Sequence, residues 1–284
     1  MSGILYVVAT PIGNLEDVTL RALRVLREVA VIAAEDTRRT GRLLQHFAIT
    51  TPTVSYHEHS GAGRLHRLLE RLESGDSVAL VSDAGTPGVS DPGFELIREA
   101  RMRGIKVEPV PGASAVLAAM VASGFPMDRF AVRGFPPSRS KARKEWLSEV
   151  CTTPTPVVFF EAPHRVRDTL ADLAIVCGVR PIVIGRELTK MHEEFSAGTA
   201  TELLERFKEP IGEFTIVLGP APPAQARLEP PTDAEITGLF WRKTEKLELS
   251  RREAINAVAS DLRLSPNAVY QAIERHKLSG IQNN

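Results

Sequence analysis

The chain has 284 residues, and its 35 Lys and Arg balance 35 Asp and Glu, so the formal net charge at pH 7 is zero. This length allows two domains, and a composition of 43% hydrophobic and 25% charged residues is typical of a soluble globular protein. The neutral balance excludes a global electrostatic field for nucleic acid, and no apolar run approaches the ~20 residues of a membrane helix.

The N-terminus and the cysteines indicate a cytoplasmic protein. Residues 4–9 form an apolar run that lacks the basic segment and cleavage site of a signal peptide. Cys151 and Cys177 are too few for a disulfide framework and lack the spacing of a metal site. A reducing compartment is therefore the simpler setting.

Runs rich in β-branched residues alternate with helical stretches along the first 220 residues. The predicted strands are residues 4–9, 29–34, 78–81, 106–110, 129–133, 157–160, 182–184 and 214–218. This alternation predicts an α/β protein with layered helices and sheets. Gly124-Phe125-Pro126 is typical of a hinge, so we predict two α/β domains, residues 1–118 and 119–220.

The rest of the chain has a different pattern. Residues 221–232 are Pro-rich, which predicts a semi-rigid linker. In residues 233–284, Ser250-Arg-Arg-Glu253 is a capping-box signature and Ser265-Pro266 begins a second helix, which together predict a helix-turn-helix module. Its arginines could dock RNA, or the module could serve only packing or dimerisation.

Two glycine-containing loops follow predicted strands. Residues 80–93, Leu-Val-Ser-Asp-Ala-Gly-Thr-Pro-Gly-Val-Ser-Asp-Pro-Gly, combine glycines that permit close backbone approach with prolines that make turns rigid. Residues 10–15, Thr-Pro-Ile-Gly-Asn-Leu, follow the first strand. Small molecules bind at the carboxyl ends of strands in such sheets. Neither loop has the spacing of a phosphate loop or a dinucleotide fingerprint, so nucleotide chemistry is disfavoured.

Charged residues cluster at two places in the first half. In Glu35-Asp36-Thr37-Arg38-Arg39 the carboxylates could orient a hydroxyl and the arginines could hold a phosphate, or Asp36 or Thr37 could simply cap a helix. His57-Glu58-His59 could ligate a metal, but no further ligands at metal spacing accompany it. We therefore predict no metal.

The second half offers three further polar segments. Phe160-Glu161 ends a predicted strand and could hold an adenine ring and hydroxyls, or form a salt-bridged strand terminus. The segment Arg186-Glu187-Leu188-Thr189-Lys190 ends the next strand. A cationic stretch with Arg139, Lys141, Arg143 and Lys144 follows Gly134-Phe135-Pro136-Pro137, and it could contact phosphates or form a solvated surface.

Together these segments resemble the tetrapyrrole-methylase-like S-adenosylmethionine transferases. The resemblance spans nearly all of residues 4–220 and rests on segments 8–15, 34–38, 80–93, 109–115, 133–137 and 186–190. It is greatest to the branch that methylates the 2′-hydroxyl of a cytidine in the decoding region of 16S rRNA. Tetrapyrrole-modifying members carry Gly-Asp-Pro where this chain has Gly85-Thr86-Pro87, which disfavours a porphyrin substrate.

The resemblance implies a homodimer that binds S-adenosylmethionine in a cleft between the two α/β domains and acts on the 30S subunit. The predicted cofactor contacts are Pro11, Gly13, Asp83, Gly85, Thr86, Val89, Ser114, Ala115, Phe160 and Thr215. The predicted RNA contacts are Arg38, Arg39, Arg139, Lys141, Arg143 and Arg165.

Ribose methylation requires alignment of the hydroxyl and a base that takes its proton. Asp36 is the first candidate base, followed by Glu35 and Glu161, and Lys190 would stabilise negative charge. Two other interpretations stay open: a methyltransferase of the same superfamily acting on a tetrapyrrole or a protein side chain, and a non-catalytic RNA-binding protein.

Overall fold

The computed structural model describes residues 2–57, 61–88, 93–221, 232–247, 250–262 and 264–281. The chain divides into two compact units, Met1–Pro222 and Pro223–Asn284. Most of the predicted linker, residues 222–231, lies outside the described residues, as do Glu58, His59 and Val89. In the described part of the chain, no helix is long and apolar enough to cross a bilayer.

The first sheet is entirely parallel and has the spatial order β3-β2-β4-β1-β5. Its strands are β1 (Ile4–Val8), β2 (Val31–Ala34), β3 (Thr53–Ser55), β4 (Val78–Val81) and β5 (Lys106–Val110). Central parallel strands are covered on both faces, so they consist of continuous apolar residues. This is true of β2 and β4, in which every residue is buried.

Helices cover both faces of this sheet. Helices α1 (Leu20–Glu28) and α2 (Thr37–His46) pack on one face, and α3 (Ala62–Glu73) and α4 (Phe94–Met102) pack on the other. The predicted apolar stripe of α3 includes Leu68, Leu69 and Leu72, which are all buried.

The second sheet is mixed and has the order β6-β7-β10-β8-β9, with only β6 and β7 parallel. Its strands are β6 (Ala131–Val132), β7 (Val157–Glu161), β8 (Ile182–Arg186), β9 (Glu194–Gly198) and β10 (Phe214–Leu218). One face packs against α6 (Ser140–Thr152), α7 (Pro163–Val176) and α8 (Ala200–Arg206), and the other against α5 (Ala115–Ser123).

The predicted α/β fold class is confirmed, and all eight predicted strands are present. Strands β3 and β9 were not predicted; both lie at sheet edges, and their polar residues give no continuous apolar signal. The proposed boundary between residues 118 and 119 falls inside α5, which packs on the second sheet.

The described residues of the C-terminal unit form three helices: α9 (Asp233–Leu247), α10 (Arg251–Leu262) and α11 (Pro266–Ile281). The predicted capping box is present, since Ser250 N donates to Glu253 Oε2 at 3.0 Å and Glu253 N donates to Ser250 Oγ at 3.4 Å. The helix-turn-helix pattern predicts two of these helices, α10 and α11. The third, α9, contributes Ile236 and Phe240 to a core that α10 and α11 share.

The two cysteines, which are too few for a disulfide framework, nevertheless pair with each other. Cys151 in the last turn of α6 and Cys177 directly after α7 form a disulfide. Their Cα atoms are 5.6 Å apart, which lies within the ordinary range for such a bond. A pair 26 residues apart in sequence gave no sign of this proximity because the α6–α7 packing that creates it is tertiary.

Candidate functional site

A cavity of about 440 Å³ lies within the unit Met1–Pro222, where the carboxyl ends of β2, β4 and β7 meet. Small-molecule sites have volumes of about 300–1,000 Å³. The lining residues are Ile12, Glu35, Arg39, Asp83, Ala84, Gly85, Thr86, Ser114, Ala115, Val116, Phe135, Phe160, Glu161, Ala162, Pro163, Leu188, Glu213, Phe214 and Thr215. Both halves of the α/β unit therefore contribute to one cavity.

The two glycine-containing loops are joined by their backbones. Thr10 N donates to Gly85 O at 2.9 Å, and Gly85 N donates to Thr10 O at 3.0 Å. Gly85 has φ +79°, a left-handed conformation that glycine adopts without strain. The Thr10 hydroxyl also donates to Ser82 O at 3.1 Å, so the loops form one rigid wall.

Gly13 packs against the second half of the unit. A Cβ atom on Gly13 would lie 2.5 Å from Lys190 Cγ and 2.8 Å from both Leu188 O and Thr189 Oγ1. Only a glycine allows this approach of the first loop to residues 187–190. Gly13 therefore closes the wall beside Ile12, although Gly13 itself does not line the cavity.

Carboxylates line the first-sheet side of the cavity. Asp83 Oδ1 accepts a hydrogen bond from Asp36 N at 2.9 Å, and Asp83 N donates to Glu35 Oε2 at 3.2 Å. Arg39 lies 3.5 Å from Asp83 Oδ2. The ends of β2 and β4 are thus tied together through their acidic side chains, and Glu35, Arg39 and Asp83 face the cavity.

Asp36 has a different environment from Glu35. Its Oδ1 accepts from Arg38 N at 2.8 Å, so Asp36 is the N-cap of α2, and its Oδ2 accepts from the Arg38 guanidinium at 2.8 Å. The Arg38 side-chain hydrogen bond, with help from the backbone, lowers the pKa of Asp36 to about 2. The carboxylate is therefore occupied in capping α2, and it does not line the cavity.

Aromatic and buried polar groups form the second-sheet side. The Phe135 and Phe160 rings have centroids 5.5 Å apart, and both line the cavity. Glu161 is buried: its carboxylate accepts from Thr169 Oγ1 at 2.6 Å and from Ala162 N at 2.8 Å, and lies 3.2 Å from Arg165 Nε. These contacts correspond to the salt-bridged strand terminus that the sequence left open.

Residues 187–190 form a strained turn beside the cavity. Glu187 and Thr189 have φ values of 51° and 65°, which non-glycine residues rarely adopt. Lys190 Nζ lies 2.8 Å from Glu187 Oε1 and 3.0 Å from Glu213 Oε2. Burial acts to lower the pKa of Lys190, but hydrogen bonds with these carboxylates outweigh it and raise the pKa. Lys190 is therefore a cation beside the cavity rather than a proton acceptor.

Apart from Gly13, which does not line the cavity, the predicted cofactor residues fall into three groups. Asp83, Gly85, Thr86, Ser114, Ala115, Phe160 and Thr215 line the cavity. Pro11 lines a neighbouring cavity of about 120 Å³ that shares Arg39 and Asp83 with the main one. Val89 lies outside the described residues.

The predicted RNA contacts differ in how far their side chains are exposed to solvent. Arg38, Arg39, Arg139 and Lys141 are exposed. Arg143 is instead buried, with its Nε 2.8 Å from Asp172 Oδ2, so its guanidinium holds α6 to α7 and does not face solvent. Arg165 is mostly covered by its contacts with Glu161 and Pro136 O.

Sequence reasoning missed several lining residues, including Phe135, Leu188 and Glu213. For Phe135 the usable signal is an aromatic residue between a glycine and two prolines, in the segment Gly134-Phe135-Pro136-Pro137. Glu213 gave none, because its position depends on β10 lying between β7 and β8. Across the described residues, no group of three His, Cys, Asp or Glu could hold a metal ion.

The α/β unit that carries this cavity has a fold shared with a known class of proteins. Residues 4–204 match the family described as Tetrapyrrole (Corrin/Porphyrin) Methylases, and the chain belongs to that family. Its fold is similar to that of cobalt precorrin-4 methyltransferase, with a TM-score of 0.57 and 17% identity over 76% of this chain and 94% of the other. A uroporphyrin-III C-methyltransferase from Thermus thermophilus, complexed with S-adenosylhomocysteine, has a TM-score of 0.53 and 22% identity over 76% and 97%.

More similar relatives share a narrower name. A "Ribosomal RNA small subunit methyltransferase I" from Synechocystis sp. is 44% identical over 95% of this chain and 96% of the relative. A protein of the same name from Halalkalibacterium halodurans is 50% identical over 76% of this chain and 75% of the relative. Within the tetrapyrrole methylases, the chain is therefore a member of the family of ribosomal RNA small subunit methyltransferases I.

Proposed function

We propose that this chain transfers a methyl group from S-adenosylmethionine to the 2′-hydroxyl of a cytidine in the decoding region of 16S rRNA, within the small ribosomal subunit. The observation that carries this proposal is the 44% identity over nearly the full length of a relative named for small-subunit rRNA methylation. The rRNA substrate follows from that name, and the ribose specificity follows from the resemblance of the sequence motifs.

The cavity fits S-adenosylmethionine in size and chemistry. Phe160, Ile12 and Leu188 provide an apolar wall suited to an adenosine, and Ser114 at the N-terminus of α5 provides polar groups. Asp83 and Thr215 provide acceptors for hydroxyl and ammonium groups. When bound, S-adenosylmethionine supplies an already activated methyl group, so the protein's tasks are to orient the ribose and to take its proton.

Among the candidate bases, Glu35 suits the second task best. It lines the cavity, and one carboxylate oxygen is fixed by the Asp83 N–H while the carboxylate remains partly exposed. A base must reach the proton it takes, and it loses driving force as its pKa falls far below that of the acid. Asp36 is outside the cavity lining and its pKa is about 2, so we assign it to the capping of α2.

RNA would approach over exposed cations, one of which, Arg39, lines the cavity. Arg39 lines the cavity and keeps 62% of its side chain exposed, and Arg38, Arg139 and Lys141 are also exposed. In the C-terminal unit, Arg251 pairs with Glu274 at 2.7 Å and Arg275 pairs with Asp233 at 2.8 Å. Those internal pairs favour a packing role for these two arginines.

We also propose a homodimer in the cytoplasm. The location follows from the proposed substrate, since ribosomal subunits are cytoplasmic. Leu117 and Val121 on α5, exposed by 52% and 66%, form an apolar stripe of the kind that subunit interfaces cover. Light scattering of the purified chain tests the dimer, and a monomer at micromolar concentration would contradict it.

The central experiment incubates the purified chain with labelled S-adenosylmethionine and 30S subunits that lack the modification, and then identifies the labelled nucleoside. We expect 2′-O-methylcytidine. Label on a base, or no transfer by a chain that binds the cofactor, would contradict the proposal. No calorimetric binding of S-adenosylmethionine at millimolar concentration would favour the non-catalytic interpretation.

A variant and a matched control test the assignment of Glu35 as the proton acceptor. We expect Glu35→Gln to lower methyl transfer by ~10²-fold or more with cofactor affinity retained, the usual contribution of a general base. Glu28→Gln, an exposed glutamate paired with Arg24 outside the cavity lining, should leave transfer unchanged. Full turnover by Glu35→Gln would exclude Glu35 as the base.

A further inference from the structure

Phe135 is a large apolar side chain that the fold leaves open to solvent at the cavity. It is 52% exposed and lines the cavity, whereas Phe160 next to it belongs to β7 and is partly buried. An exposed phenylalanine stabilises the folded chain little, because it removes little apolar area from water. Its position therefore needs an explanation other than core packing.

The segment that carries Phe135 is held on both sides. Gly134 has φ +65°, and its carbonyl accepts from Phe160 N at 2.9 Å. The carbonyl of Pro136, which is buried, accepts from the Arg165 guanidinium. Gly134 and Pro136 thus fix the backbone immediately before and after Phe135.

Arg165 is itself fixed by Glu161. Arg165 Nε lies 3.2 Å from Glu161 Oε1, and the buried Glu161 carboxylate is held by Thr169 and by Ala162 N. A fully buried carboxylate bound by three partners costs free energy unless each contact is retained. The network Glu161–Arg165–Pro136 therefore acts as a brace for the turn that presents Phe135.

We propose that Phe135 is a stacking platform for a nucleobase, namely the base of the nucleotide whose ribose is methylated. This inference rests on the proposed function, since it names how that substrate is held. Aromatic side chains stack on bases regardless of sequence, and an unstacked base in folded RNA is the form that proteins grip. Across the cavity, Glu35 faces the same space, so a base on Phe135 lets its own ribose lie toward the carboxylates.

The other nucleobase that could stack on Phe135 is the adenine of S-adenosylmethionine. The affinity for 30S subunits and the affinity for S-adenosylmethionine, both measured on Phe135→Leu, distinguish the RNA base from the adenine. Phe135→Leu should weaken binding to 30S subunits roughly 5- to 150-fold, the range for one stacked base. Its calorimetric affinity for S-adenosylmethionine should match that of the unmodified chain. Loss of cofactor affinity with unchanged 30S affinity would overturn the proposal in favour of adenine.

Two further variants separate stacking from general packing. Phe135→Tyr keeps an aromatic face and should restore 30S affinity to within about twofold. Phe195→Leu removes a phenylalanine that is 36% exposed on β9 and outside the cavity lining, and it should change neither affinity. If Phe135→Leu binds 30S subunits as tightly as the unmodified chain does, the stacking platform is refuted, whatever the methylation rate of the variant. If the unmodified chain transfers no methyl group to 30S subunits, the proposed function fails instead.

The brace predicts a specific coupling. If Arg165 acts through Phe135, Arg165→Ala should weaken 30S binding, and the double variant with Phe135→Leu should bind no more weakly than Phe135→Leu alone. Additive losses would mean that Arg165 contacts RNA by itself. A merely structural role for Arg165 would lower the melting temperature without this non-additivity.

Discussion

The closure of the cavity at Gly13 gives the sharpest test of how the two halves form one site. A methyl group at this position would lie 2.5 Å from Lys190 Cγ and 2.8 Å from Leu188 O and Thr189 Oγ1. Unstrained carbon contacts are about 3.5–4.0 Å long. Lys190 is tethered by Glu187 and Glu213, and Leu188 contributes backbone, so the turn at residues 187–190 must move as a body.

We expect Gly13→Ala to lower the free energy of unfolding by about 1–3 kcal/mol, the typical cost of overpacking. For a unit of this size that corresponds to a melting temperature lower by about 2–10 °C. Because Ile12 and Leu188 line the cavity on either side of the clash, S-adenosylmethionine should also bind more weakly, by roughly tenfold for each 1.4 kcal/mol of strain that is felt at the site.

Gly41→Ala is the matched control. Gly41 lies inside α2, and a Cβ there would meet nothing within 4 Å. Alanine at such a helical position should stabilise the chain by about 0.5–1 kcal/mol and leave cofactor affinity unchanged. Differential scanning calorimetry and titration calorimetry measure both quantities. If Gly13→Ala and Gly41→Ala have the same melting temperature and affinity, the close approach of the two loops is refuted.

Three further predictions concern stability. Arg180 is buried, which lowers its pKa to about 10, and it donates to the carbonyls of Val150, Cys151, Thr153, Thr155 and Gly219. Arg180→Met leaves these buried carbonyls without a donor, at about 1–3 kcal/mol for each one that stays unsatisfied, so it should lower the free energy of unfolding in urea by at least that amount. No loss of stability would contradict the role of Arg180 as an anchor. The pKa of Asp36 falls from 3.8 to about 2 in the folded chain, so the Asp36 carboxylate contributes stability above pH 3.8 that is lost as the pH falls toward 2. Asp36→Asn should remove this part of the acid dependence. If the variant and the unmodified chain have identical acid-unfolding curves, the Asp36–Arg38 pair is contradicted. Reducing the Cys151–Cys177 disulfide, which spans 26 residues, should lower the free energy of unfolding by about 3 kcal/mol. The free energy of unfolding of the Cys177→Ser chain should be the same with and without reductant.

The sequence predicted the parts of the fold that depend on local pattern. The eight strands with apolar runs and the capping box at Ser250 are local signals, and each is present. Strand β3 has only three residues and β9 alternates polar and apolar at an edge, so neither produces a run that distinguishes it from a loop. Their pairing depends on the neighbouring strands β2 and β8.

The candidate site was predicted in location but not in the detail of its chemistry. Glycine-containing loops at strand ends indicated where the cavity lies. The sequence could not rank Asp36 against Glu35, because adjacent residues at a strand end point in different directions and only the packed structure shows which of them caps α2. Likewise, Arg143 belongs to a cationic stretch in sequence, yet the α6–α7 packing buries it against Asp172.

The two sides of the cavity divide the chemistry that a ribose methyltransferase needs. The first sheet provides carboxylates, of which Asp36 is committed to a helix cap while Glu35 faces the cavity. The second sheet provides aromatic rings, and there the charged pair of Glu161 and Arg165 is committed to bracing the backbone. On each side, a charged residue is committed to local structure while a nearby residue remains available. A proton acceptor needs an accessible oxygen and a stacking platform needs an open face, so the available neighbours, Glu35 and Phe135, are the residues where substitution should change reaction or substrate binding more than stability.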